Sequence, residues 1–198
     1  MTYKKERGMG MELKIPENFF VGAAMSGPQT EGAYKTGGRL ESIWDTWSDL
    51  SISDFYNKVG SYVGNNFYEK YEDDIKLLKS LHMDSFRTSM QWSRLLTKDG
   101  KLNQEGAQFY HKVCKCAKEN QIELFMNLYH FDMPTYLFER GGWESRDVVE
   151  AYAAYARAAF REFGSEIRYW FTFNEPIVCP LPTVWLYGNS ERQKKRAM

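Results

Sequence analysis

The 198-residue sequence predicts an α/β fold in which the strands of a parallel sheet alternate with helices. Two observations lead to this fold class. From about residue 67 onward, amphipathic helical patterns alternate with short apolar runs, which is the pattern of repeated βα units. Each apolar run is followed by polar side chains, and in a (β/α)8 barrel such side chains gather at the carboxyl ends of the strands. We therefore predict barrel architecture.

Strand candidates are few for a closed barrel. They cover Phe19 to Met25, Ser85 to Trp92, Leu124 to Tyr129 and Tyr169 to Phe173. A (β/α)8 barrel needs eight units and about 250 residues. The sequence therefore predicts a truncated half barrel with about four βα units.

Helical periodicity separates these strands. Apolar residues recur every three or four positions over 67–81, 104–119 and 147–163. We expect Asn66 to cap the first helix with Glu69 as its return partner, and Asp147 to cap the third, which ends at Gly164. The glycine-containing segment 35–62 is predicted to be an extended first loop that shapes a substrate mouth.

Composition narrows the function classes. Lys plus Arg (26) balances Asp plus Glu (26), so no overall field favours nucleic acid or an anionic membrane. No apolar run approaches the roughly 20 residues that span a bilayer. Three poorly spaced cysteines and the lack of an export signal predict a cytoplasmic protein. The three histidines are scattered, without metal-site spacing, so we expect no metal.

The most informative motif is Thr172-Phe173-Asn174-Glu175-Pro176, which ends the last strand candidate. It places an acid and its amide neighbour where a barrel keeps its chemistry. A carboxylic acid at this position can donate or accept a proton during a reaction. The alternative is a loop acid held in a salt bridge.

The chain resembles glycoside hydrolase family 1, the retaining β-glucosidases and 6-phospho-β-glucosidases with a TIM-barrel fold, over about Pro16 to Val178. The resemblance rests on six blocks in the family's order: FFVGAAMSGPQTEGA, SIWDTW, FRTSMQWSR, LYHFDMP, GGW and WFTFNEP.

This resemblance implies roles for five residues. Glu175 is similar to the family's general acid/base, and Asn174 to the residue that binds the sugar 2-hydroxyl. Gln29 and His130 resemble ligands for hydroxyls on the far side of that sugar, and Arg87 resembles the arginine that orients the nucleophile. The family's hydrolysis needs two carboxylates and water, so no cofactor is implied.

Two further acids resemble structural residues of the family. Glu31 matches one that supports its loop, and Asp132 matches a supporting aspartate, although Asp132 is also the nearest alternative nucleophile. Residues 1–178 are thus predicted to be the N-terminal half of the barrel. Residues 179–198, with Pro180 and a basic end, form a non-matching tail that we interpret as frameshifted or truncated.

The expected function is that of a fragment of a retaining glycoside hydrolase. It would act on β-glucosides, above all 6-phospho-β-glucosides, and would carry the general acid/base without the nucleophile. A half barrel leaves open strand edges, which predict self-association or pairing with the missing C-terminal half. The alternatives are a non-catalytic carbohydrate-binding remnant and a non-functional truncated gene product.

Overall fold

A computed structural model of the chain describes residues 14–50 and 56–178. Its four strands form one parallel sheet in the order of the sequence: β1 (Gly22–Ala24), β2 (Ser85–Ser89), β3 (Glu123–Tyr129) and β4 (Tyr169–Phe173). Register pairs Phe86 with Leu124 and Met126 with Trp170. The parallel sheet is confirmed.

Three long helices connect the strands as predicted: α3 (Phe67–Ser80), α5 (Gln104–Glu119) and α7 (Arg146–Phe163). Shorter helices occupy the loops at the carboxyl ends of the strands: α1 (Gly27–Thr30), α2 (Ile43–Leu50), α4 (Trp92–Leu95) and α6 (Thr135–Glu139), with short 3-10 turns at Tyr56–Lys58 and Gly142–Glu144.

The hydrophobic core lies between the sheet and the long helices. Alternate residues of β3 point into it, and they are fully or nearly fully buried together with the apolar stripes of the helices: Leu124, Met126, Leu128, Ile75, Val113, Ala159 and Phe163. Burying such a large apolar side chain contributes roughly 1.5–3 kcal/mol. These contacts hold the strand ends, and hence the loops that follow them, in place.

The opposite face of the sheet is open. Phe125 stacks on Tyr169 with ring centroids 4.6 Å apart, and Phe20 meets Phe125 edge-on at 5.3 Å. Phe20 and Phe171 are each 42% exposed. In the sheet as described, β1 pairs with β2 alone and β4 with β3 alone, so both outer edges are unpaired.

Two strands are shorter than predicted. The first covers Gly22–Ala24 of the expected Phe19 to Met25. The second ends at Ser89, because the chain turns at Met90 and Gln91 into α4, which contains the Trp92 that we had assigned to the strand. The runs of apolar residues therefore predicted strands that are longer than those observed.

The two predicted helix caps have different outcomes. Asn66 occupies the N-cap position of α3 as predicted, but in a left-handed conformation (φ 59°) and without a side-chain cap bond. The cap predicted at Asp147 is wrong. Ser145 occupies the N-cap position of α7, and Asp147 lies in the first turn, where its carboxylate is 3.3 Å from the Arg140 guanidinium. The end of α7 at Phe163, just before Gly164, agrees with the prediction.

The first loop contains unpredicted structure, the helix α2. Its first turn is fixed by Asp45, whose Oδ2 accepts the backbone N–H of Ser42 at 2.8 Å. The predicted tail, residues 179–198, lies outside the described residues. Over the two described ranges, no helix combines the length and apolar character needed to cross a bilayer.

Candidate active site

The loop after β3 places His130 in a partly buried position. Its backbone N–H donates to Asp132 Oδ1 at 3.1 Å. Burial and the nearby charge of Arg87 lower the pKa of the His130 imidazole to about 4. The ring is therefore neutral at neutral pH and has one donor and one acceptor nitrogen. Its Nδ1 is buried and makes no hydrogen bond to the described residues.

Asp132 is fully buried and joins two loops. Its Oδ2 accepts the backbone N–H of Trp92 at 2.8 Å, and its Oδ1 accepts that of His130. Burial raises the pKa of the carboxyl to about 7, although these N–H donors favour the charged form. A carboxylate occupied by backbone amides is a supporting group for His130, in line with the structural role expected from the resemblance.

The loop after β4 carries Asn174 and Glu175. The Asn174 backbone N–H donates to Tyr129 O at 2.9 Å, which extends the β3–β4 pairing by one residue. Glu175 follows in a left-handed conformation (φ 43°), and it is exposed. A non-glycine residue in this region is strained, and such strain concentrates at functional sites.

Arg87 joins these loops from β2. Its Nη2 donates to Asn174 Oδ1 at 2.8 Å, and its guanidinium lies 5.3 Å from the Phe171 ring centroid. The same positive charge contributes to the lowered pKa of His130. The structure therefore brings together three of the five predicted site residues, with Glu175 directly adjoining them in the chain.

Gln29 lies in α1, on the loop after β1. Its Oε1 accepts a hydrogen bond from Ser26 Oγ at 2.7 Å, and the residue is exposed. Gln29 also borders an open cleft whose lining includes Pro28, Trp44 and Asn65. Because parallel strands end at one edge of the sheet, the loop after β1 opens on the same edge as those carrying His130 and Asn174.

Glu31, two residues later, is buried and occupied. Its carboxylate accepts hydrogen bonds from Arg94 Nε at 2.7 Å, Gln91 Nε2 at 2.6 Å and Tyr110 Oη at 2.8 Å. It fixes the end of α1, as the resemblance implied.

Sequence reasoning missed a second buried ion pair, between Arg39 and Asp45, with 2.7 Å between Nη1 and Oδ2. Both side chains are about 3% exposed. The sequence contains a pattern that could have indicated this pair, because Arg39 and Asp45 lie on either side of the apolar Ile-Trp pair within seven residues. That segment was predicted to be part of a loop. Within the described ranges, no three His, Cys, Asp or Glu side chains are arranged to hold a metal ion.

These groups can act together on a polyhydroxylated ligand. A neutral imidazole, an amide fixed by a guanidinium, a second amide and an exposed carboxyl group all follow strands of one sheet. Imidazole and amide groups both donate and accept hydrogen bonds, as sugar hydroxyls require. The carboxyl group of Glu175 is exposed, and a carboxyl group can donate or accept a proton.

Comparison with known proteins identifies a family. The model of Glycosyl hydrolase family 1 matches residues 11–189. The chain is 42% identical over 177 residues to 6-phospho-beta-glucosidase GmuD of Bacillus subtilis (89% of this chain, 38% of that protein), and 37% identical over 171 residues to Beta-glucosidase A of Acetivibrio thermocellus (86% and 38%).

Solved structures show the same fold. The GH1 beta-glucosidase from Exiguobacterium antarcticum superposes with a TM-score of 0.80 at 36% identity, covering 85% of this chain and 38% of that one. The present chain thus spans about two fifths of the length of these relatives. Its four parallel strands correspond to part of the (β/α)8 barrel of these relatives. The chain belongs to glycosyl hydrolase family 1.

Proposed function

We propose that the chain provides the acid/base half of a retaining glycoside hydrolase that cleaves β-glucosides. Glu175 acts as general acid/base, and Asn174, Gln29 and His130 bind the sugar. The single observation that carries this proposal is the 2.8 Å hydrogen bond from Arg87 to Asn174, beside the neutral His130 and directly before Glu175.

The proposed reaction needs a carboxylic acid beside the bond to be broken. Protonation of the leaving oxygen by Glu175 would accompany attack on the sugar carbon, and the same residue would then accept a proton from water. Its exposure at the mouth of the loops gives it access to a substrate. Asn174, held by Arg87, would position the sugar beside it.

Retaining hydrolysis also needs a nucleophilic carboxylate about 5–5.5 Å from the acid. The two described acids on neighbouring loops do not suit this role, because Glu31 and Asp132 are buried and bound to other groups. We infer that the nucleophile comes from outside the described residues. Arg87, with a permanent charge beside Asn174, would hold that nucleophile ionised.

For the substrate, we propose 6-phospho-β-glucosides in preference to free β-glucosides. The name of the Bacillus subtilis relative supports this choice, whereas the Acetivibrio thermocellus relative is named a beta-glucosidase. A phosphorylated sugar is an intracellular metabolite, and the free, buried thiols of Cys114 and Cys116 support a cytoplasmic location.

We further propose that the open face of the sheet pairs with the remaining half of a barrel. The unpaired edges of β1 and β4 and the exposed rings of Phe20 and Phe171 support this pairing. Parallel strands are normally covered on both faces. Without that half we expect the chain to self-associate, which light scattering would detect.

The test is release of nitrophenol from p-nitrophenyl β-glucoside and from its 6-phosphate. The purified chain is assayed alone and with the C-terminal half of the Bacillus subtilis relative, each with Glu175→Gln as the matched control. We expect activity only in the mixture, higher on the phosphate and lost in the control. Activity of the chain alone would refute the assignment of the nucleophile to another segment.

A second candidate function is carbohydrate binding without turnover. It is favoured by the hydrogen bonds that Glu31 and Asp132 already make within the protein. In that case the mixture would be inactive, and the chain would bind the sugar in calorimetry. His130→Ala should then weaken binding, whereas a substitution of the exposed Gln108 should not. Absence of both binding and hydrolysis would indicate a non-functional gene product.

A further inference from the structure

Gln91 lies between the two buried ion pairs. Its Nε2 donates to Glu31, the partner of Arg94, at 2.6 Å, and its Oε1 accepts from Arg39 Nε, the partner of Asp45, at 3.0 Å. An amide has one donating and one accepting end, so it matches a carboxylate on one side and a guanidinium on the other. A carboxylate at position 91 would be repelled by Glu31, and an ammonium group there would be repelled by Arg39.

On one side, Gln91 holds both ends of α1. Its Cγ lies 2.6 Å from where a Cβ on Gly27 would stand, so the start of the helix packs directly on the Gln91 stem. Its backbone N–H donates to Tyr110 Oη at 2.7 Å, and that hydroxyl donates to Glu31 at the end of the helix. Gln29 lies between these two attachments.

On the other side, the Arg39–Asp45 pair leads to the loop after β3. Asp45 fixes the turn at Ser42, and the next residue, Ile43, donates its backbone N–H to Met133 O at 2.9 Å. An isolated antiparallel bridge also joins Ser42 to Pro134. These contacts end within three or four residues of His130.

We propose that Gln91 is a positioning residue that couples the α1 loop, which carries Gln29, to the loop that carries His130. The two loops follow β1 and β3, and Gln91 follows β2, the strand between them. The consequence for sugar binding rests on the proposed function, because it assigns both residues to one sugar. The coupling itself depends only on the hydrogen bonds described.

The test is hydrogen–deuterium exchange measured by mass spectrometry on four proteins: the parent chain, Asp45→Asn, Gln91→Met and the double variant. In the parent background, Asp45→Asn should speed exchange over residues 26–31 on the order of tenfold, although the side-chain hydrogen bonds described for Asp45 go to Arg39, Ser42 and Ser61. In the Gln91→Met background, Asp45→Asn should add little there. Gln91→Met alone should speed exchange over both 26–31 and 128–135.

Two results would overturn the proposal. One is an equal effect of Asp45→Asn on residues 26–31 with and without Gln91, and the other is no effect in either background. A residue that only fills space could loosen its own surroundings, but its removal would not abolish the effect of a distant substitution. Gln108→Met, an exposed glutamine on α5, is the matched control and should change neither region.

Global unfolding would be recognised in α7, where exchange over residues 146–163 should stay at the parent rate. If Gln91→Met raises the exchange rate of α7, Gln91→Asn is used in place of Gln91→Met. Gln91→Asn keeps both amide ends, but its stem is too short to reach both ion pairs. The same outcomes then apply. No sugar enters the measurement, so failure of the coupling is distinguishable from failure of the proposed activity.

Discussion

The loops after β1 and β4 each carry a glutamate, and the two are in opposite environments. Glu31 is 1% exposed and accepts hydrogen bonds from Arg94, Gln91 and Tyr110. Glu175 is exposed, and its backbone lies in the left-handed region at φ 43°. One acid is held in place by its neighbours, and the other is open to a ligand.

This difference shows that position after a strand does not decide the role of an acid in this fold. A general acid must approach the substrate and change protonation during the reaction. The hydrogen bonds to Glu31 occupy both of its carboxylate oxygens, and its burial leaves it no access to a ligand. Its contribution is to fix α1, the helix that carries Gln29, whereas the contribution proposed for Glu175 is to the chemistry.

The largest expected effect concerns stability. Glu31→Gln leaves the Arg94 guanidinium buried without its counter-charge, and breaking such a buried pair costs about 3–5 kcal/mol. Glu175→Gln, the matched substitution at the exposed acid, should change the free energy of unfolding by less than about 0.5 kcal/mol. Urea denaturation of both variants checks this. Equal losses would refute the contrast.

The second effect is pH-dependent stability from His130. Its folded-state pKa of about 4 lies below its ordinary value of 6.5. The unfolded chain therefore binds more protons between these values, and stability is lost as pH falls from 6.5 to 4. His130→Gln removes this loss, so its free energy of unfolding relative to the parent should rise by about 2 kcal/mol between pH 7.5 and pH 4.5.

Asp132 provides a control of opposite sign. Its folded-state pKa of about 7 lies above its ordinary value of 3.8, so the folded chain binds the extra proton and stability is lost as pH rises between these values. Asp132→Asn should therefore be most destabilising relative to the parent at low pH. If both variants changed with pH in the same direction, the assigned protonation states would be wrong.

The third effect compares two tyrosines of α7. Tyr155 Oη donates to Met90 O at 2.7 Å and to Leu128 O at 3.0 Å, and it is fully buried. Tyr155→Phe leaves these carbonyls without that donor and should cost about 1–2 kcal/mol. Tyr152 donates to Thr172 O on β4 in a more exposed position, so Tyr152→Phe should cost less than about 1 kcal/mol in the same urea titration. A larger loss of unfolding free energy for Tyr152→Phe than for Tyr155→Phe would mean that the hydrogen bond to β4 contributes more to stability than the bonds to Met90 and Leu128.

The sequence predicted the sheet and the long helices because their patterns are local. The apolar stripe of α7 identifies that helix from residues 147–163 alone, without knowledge of what covers it. The caps were predicted less well because residue type was used without backbone conformation. Asn66 is at the predicted N-cap position but its left-handed backbone comes with no side-chain cap bond, and Ser145 takes the N-cap position that was assigned to Asp147.

The separate roles of Glu31 and Glu175 could not be derived from local pattern. The partners of Glu31 lie 60, 63 and 79 residues away, so its burial depends on how the loops pack. The resemblance to known blocks supplied that distinction, and the geometry around Glu31 explains it physically. The bridge made by Gln91 was missed for the same reason, because neither of its partners is close in sequence.

The smallest expected effect concerns the strained backbone at Glu175. A left-handed conformation costs a non-glycine residue roughly 1 kcal/mol, and glycine avoids this cost. Glu175→Gly should therefore raise the free energy of unfolding by about 0.5–1 kcal/mol while removing the proposed acid, whereas Glu175→Gln removes the acid and keeps the strain. Calorimetry of both variants separates the two contributions. A more stable glycine variant would indicate that the acid at position 175 is held at a cost to stability. A structural role such as that of Glu31 requires no such cost. A less stable glycine variant would indicate instead that the Glu175 side chain makes a supporting contact.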